Sequence, residues 1–135
     1  MLAFIAREFP QASGYGSYVI ERLEPERATV RLNVTKAHLR PGGSVSGPAL
    51  MALMDYAVYV LLLAHHGANA RLTVTTGLQM SFLRKAGLED VACDVEFIKH
   101  GRTLTVADGR IRACADGRLV AHSEATYFMG EARRV

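Results

Sequence analysis

One aspartate sits where nothing in its surroundings favours one. Residues 49–64 are otherwise apolar or aromatic, and Asp55 is their single charged side chain. Burying an ionised, unpaired carboxylate is costly, and carboxylates in greasy surroundings concentrate at functional sites. The structural alternative is an Asp55 that faces a polar seam or pairs with Arg40 or Arg84. Gly47 is the second residue of interest. A helix start leaves backbone N–H groups without intrahelical partners and carries the positive end of the dipole. Such donors polarise a carbonyl and stabilise the oxyanion formed under attack. Glycine lets a substrate approach the backbone closely, although turn geometry alone also explains a glycine here. Gly47 and Asp55 are eight residues apart, about 12 Å along a helix axis. No single side chain bridges that gap. If both residues serve one reaction, Asp55 comes from a second subunit and the active form is a dimer.

The elements that must hold these residues are legible as patterns. Residues 1–9 read as a short helix closed by Pro10, and Tyr15 to Leu23 as a first strand. Ala28, Val30, Leu32 and Val34 alternate with polar residues, the mark of a strand with one buried face. Turn residues fill the stretch from Arg40 to Pro48, with Pro48 suited to a first helical position. The helix runs to about His66, where Gly67 stops it in a left-handed conformation. Being apolar nearly all round, it must be buried nearly all round. Strands follow near residues 72–82, 91–98, 103–113 and 118–129. A shift of apolar parity near Asp108-Gly109 reads as a bulge, and Asp116-Gly117 as a two-residue hairpin turn. The order β-β-α-β-β-β-β with short connections implies an α+β fold, an antiparallel sheet wrapped around one long central helix.

Composition excludes other classes. The 135 residues suit one domain, 1–135, and a net charge of +3 is too slight for duplex nucleic acid. It does suit an anionic small molecule. The apolar run is shorter than the roughly 20 residues that cross a bilayer, so no membrane insertion is expected. The N-terminal residues, with Arg7 and Glu8, lack the apolar core of a secretory signal, and the expected location is cytoplasmic. Cys93 and Cys114 read as buried, reduced thiols. The adjacent His65 and His66 do not make a metal site, so no metal is expected; they and His122 read as helix-end or surface residues.

The segments RPGGSVSGPALMALMDY, TVTTGLQMSFLRKAG and HGRTLTVADGRIRACADGRLVAHSEATYFM resemble the PaaI-like branch of the 4-hydroxybenzoyl-CoA thioesterase superfamily. Together they cover roughly residues 23–129. The resemblance implies a hotdog fold and hydrolysis of an acyl-CoA thioester to acid and CoA. It implies that Gly47 polarises the thioester carbonyl while Asp55 of the facing subunit attacks or activates water. It further implies a homodimer, often paired into a tetramer, with no cofactor beyond the CoA of the substrate. The chain departs from the family motif in three places. Ser46 stands where a His is usual, Pro48 where a second glycine is usual, and Arg40 where an Asn is usual.

Further site residues are expected around this pair. Ser46 is a substitute donor or a helix cap. Tyr59, one turn beyond Asp55, narrows the pocket or hydrogen-bonds the carboxylate. Met51, Met54 and Tyr56 either line an acyl slot or form core. Of Thr75, Thr76 and Gln79, parity makes Thr76 the inward residue. The resemblance places Arg84-Lys85 and the turn Lys99-His100-Gly101-Arg102 near the CoA phosphates. Two other functions share the fold. A dehydratase or hydratase would use His38, nine residues before Gly47, but needs an acid where Ala52 stands, or a His where Val60 stands. A non-catalytic acyl-CoA-binding module would have no use for a desolvated Asp55.

Overall fold

The computed structural model describes residues 18–130. The expected N-terminal helix, the start of the first strand and the last five residues lie outside the described residues. Six strands form one antiparallel sheet: β1 (Tyr18–Leu23), β2 (Arg27–Leu32), β3 (Val74–Phe82), β4 (Val91–His100), β5 (Leu104–Ala113) and β6 (Leu119–Phe128). Their spatial order is β1-β2-β4-β5-β6-β3. The chain crosses from β2 to β3 through a single long helix, α1 (Gly47–His66), which packs against the sheet. This is the hotdog arrangement expected from the sequence.

The inward face of the sheet is graded to fit α1. Thr105, Ala107, Gly109, Ile111 and Ala113 of β5 are all buried, and so are Ala121, Ser123, Ala125 and Tyr127 of β6. Most of these side chains are small, because the helix lies against them. At Gly109 an added Cβ would stand 2.2 Å from Met54 Sδ. This grading corrects the expected bulge at Asp108-Gly109. The ladder runs unbroken there, with Asp108 opposite Glu96 and Glu124 and Gly109 opposite Val95 and Ser123. Small inward residues beside outward Leu104 and Val106 only imitate a change of parity. The irregularity in β4 lies instead between Phe97 and Lys99. The β5–β6 turn is also longer than expected. Ala113 and Arg118 close a loop of four residues, with Gly117 at φ 77°. Cys93 is buried as expected, but Cys114 lies in that loop and is exposed.

Ser46 caps α1, its Oγ accepting from the Ala49 N–H at 3.2 Å, and Pro48 occupies the first turn. The helix ends at Gly67, whose φ is 57°. By length and composition the segment Gly47–Leu72 passes as a membrane span, yet here it is the core helix, with Leu53, Met54, Ala57, Val58, Val60, Leu61 and Leu62 inaccessible. One stripe departs from the expected all-round burial. Met51 is 38% exposed, and Asp55 and Tyr59 are only half-buried. Beside this stripe runs β3, the long edge strand of the sheet.

Candidate active site

Two groups of residues gather along the uncovered stripe. The first surrounds the start of α1. The Val45 N–H donates to the Ala86 carbonyl at 2.8 Å, which ties the loop before the helix to the chain leaving β3. That tie brings Arg40, Gly47, Phe82, Arg84 and Lys85 around one open cavity of about 500 Å³. Arg84 donates from its guanidinium to the Leu119 carbonyl at 3.1 Å, which tethers the head of a side chain that is otherwise exposed. Phe82, 55% exposed, lays its ring over Gly47, with Cζ 3.3 Å from where a Cβ would stand. Phe82 is a lining residue that sequence patterning did not single out.

The second group surrounds Asp55. Tyr127 donates a short hydrogen bond to Asp55 Oδ1, and Thr75 donates to the same oxygen at 3.2 Å. Neither Arg40 nor Arg84 pairs with the carboxylate among the described residues; its partners are the two hydroxyls. Tyr127 is 3% exposed. Burial first, then the Asp55 charge and the hydrogen bond to it, hold its phenol well above the ordinary tyrosine range. It therefore remains a donor at any working pH. Sequence reading missed Tyr127. The available signal was its parity: it is the one large residue in the inward series Ala121, Ser123, Ala125, Tyr127.

The expectation for β3 needs one correction. The ladder with β6 slips between Thr75 and Gly77, and this bulge exchanges the faces that strict alternation assigns. Thr75 therefore reaches Asp55, while the Thr76 hydroxyl is spent on the Thr126 carbonyl at 3.2 Å. Gln79 is exposed. Two of the acyl-slot candidates are core. Met54 packs against Cys93, Sγ to Sδ 3.8 Å, and Tyr56 stacks on Tyr18 with centroids 4.3 Å apart. Met51 and Tyr59 remain on the uncovered stripe beside Asp55.

Within one chain the two basic clusters are far apart. Arg84 and Lys85 lie at the start of α1. His100 stands with Gly101 and Arg102 at the β4–β5 turn, its Nε2 2.9 Å from that of His66 at the end of the helix. Twenty helical residues separate the clusters, about 30 Å. His38, the residue a dehydratase would need, is 4% exposed. Its Nδ1 accepts the Thr35 N–H at 2.8 Å, and burial lowers its basicity.

Comparison with known proteins agrees with this fold. The family model of the thioesterase superfamily matches residues 42–121. A candidate thioesterase from Silicibacter sp. TM1040 is 39% identical, with a TM-score of 0.81 over 94% of this chain and 87% of that one. A hypothetical thioesterase from Streptococcus pneumoniae, crystallised with coenzyme A, is 22% identical, with a TM-score of 0.82 over 95% of each chain. The phenylacetic acid degradation protein PaaI of Thermus thermophilus, in a mutant form, is 23% identical, with a TM-score of 0.77 over 88% of this chain and 97% of that one. No curated protein sequence matches.

Proposed function

The chain belongs to the thioesterase superfamily, and on that footing we propose that it hydrolyses acyl-CoA thioesters at a site shared between two subunits. The thioester oxygen rests on the Gly47 N–H at the positive end of α1, where developing negative charge is favoured. Asp55 of the other subunit attacks the carbonyl or takes a proton from the attacking water.

The observation that carries this reading is the layout of β3. One end bears Thr75, bonded to Asp55, and the other bears Phe82, packed on Gly47. Among the described residues the outer edge of this strand is unpaired and exposed, which invites pairing with another strand. If two copies pair antiparallel through β3, the ends exchange, so the Asp55 end of one chain meets the Gly47 end of the other. The same reversal covers the stripe of Met51 and Tyr59, which then borders the acyl group. It also carries the His100-Gly101-Arg102 turn of the second copy toward the Gly47 end of the first, where Arg84 and Lys85 already lie. Both basic clusters then serve one CoA tail. Ser46 keeps its cap and retains its own proton for the substrate. The reaction needs no cofactor, and the chain works in the cytoplasm, where acyl-CoA is at hand.

The test is free-thiol release from a panel of acyl-CoAs by the wild type and Asp55→Asn. Loss of about a hundredfold or more in the variant is the expected result. Unchanged acyl-CoA binding with no turnover in either protein would instead identify a binding module.

A further inference from the structure

Asp55 has two oxygens in different circumstances. Oδ1 accepts from both Tyr127 and Thr75. Among the described residues no hydrogen bond reaches Oδ2, and Oδ2 is not among the buried polar atoms that lack a partner. It is therefore open. The two donors come from adjacent strands, where Thr75 and Tyr127 face each other in the β3–β6 register. A cross-strand pair on rigid backbone grips one oxygen and leaves the other presented outward. Resting on the reading that Asp55 is the reacting carboxylate, we infer that Tyr127 is a positioning residue: with Thr75 it clamps Asp55 Oδ1 so that Oδ2 alone meets the thioester or its water.

Three features support this. The Tyr127 hydroxyl touches the carboxylate and not the cavity, so its effect passes through Asp55. Its ring is buried, which removes the rotameric freedom that an exposed tyrosine would have. Both acceptors of its single proton among the described residues belong to Asp55, Oδ1 and the backbone carbonyl oxygen at 3.4 Å. A carboxylate on two rotatable bonds samples many orientations. Two donors on one oxygen select the rotamer that a hydrolytic site requires.

The experiment compares wild type, Tyr127→Phe, Thr75→Val, Thr75→Ser and Asp55→Asn in steady-state turnover of the best acyl-CoA, with melting temperatures recorded alongside. Tyr127→Phe is expected to lower kcat about ten- to a hundredfold with KM within twofold, because only the orientation of the reacting oxygen is lost. Thr75→Val is expected to lower kcat less, and Thr75→Ser to restore it by returning the hydroxyl. A Tyr127→Phe enzyme with wild-type kcat, while Asp55→Asn is inactive, overturns the positioning role and leaves the proposed reaction standing. An Asp55→Asn enzyme that retains turnover overturns both. If Tyr127→Phe does not fold, the Thr75 variants carry the test: Thr75→Val with wild-type kcat overturns the clamp, and a loss that Thr75→Ser restores supports it.

Discussion

The Gly47 corner and the Asp55 pocket lie on one helix but are built by opposite means. At Gly47 the working group is backbone, the cavity is open, and the ring that covers it is half-exposed and free to shift. At Asp55 the working group is a side chain, and its neighbour Tyr127 is rigid and buried. A backbone donor needs no clamp, since the helix already fixes its direction. A carboxylate on a rotatable stem does need one. The corner can therefore tolerate looseness around it, whereas the pocket depends on the packing beneath it.

The sharpest way to break this comparison is to separate its halves between chains. Gly47→Val and Asp55→Asn are each expected to lose turnover about a hundredfold or more. Co-expressed, they should recover activity approaching a quarter of wild type. Half the dimers are then mixed, and each mixed dimer has one intact site. No recovery in the purified heterodimer would mean that each chain works alone.

A smaller effect concerns the two glycines that stand near the two groups. Gly109→Ala drives a Cβ to 2.2 Å from Met54 Sδ, beside the residue that precedes Asp55. Overpacking of this kind is expected to cost about 1–3 kcal/mol, read as a fall of roughly 5–10 °C in Tm. Gly47→Ala meets only the movable ring of Phe82 at 3.3 Å, and its Tm should stay within about 2 °C. Equal losses in both would deny that the corner is the looser region.

The smallest expected effect lies at the rim. Arg84→Ala with Lys85→Ala should raise KM for acyl-CoA several-fold and leave kcat unchanged, and the increase should shrink as salt is added. A fall in kcat with unchanged KM would place these cations in the reaction rather than on the CoA tail.

Among the described residues, the sequence by itself determined the long helix, the six strands and their order. Alternation on the strands, a greasy helix between Pro48 and Gly67 and the turn at Asp116-Gly117 are local signals, and each is read without knowing its neighbours. It also singled out Gly47 and Asp55, because a polar residue in an apolar helix contradicts its surroundings wherever that helix lies. What surrounds Asp55 was decided only by the tertiary structure. Tyr127 is 72 residues away in the chain, and only the placement of β6 beside β3 brings it within reach. Thr75 and not Thr76 faces the carboxylate because of one extra residue in a ladder. Strict alternation cannot disclose such a slip, since register belongs to the pair of strands and not to either alone. The apparent bulge at Gly109 has the same origin. Small residues there answer to Met54 on the helix, and a packing partner leaves no periodic trace in the strand that accommodates it.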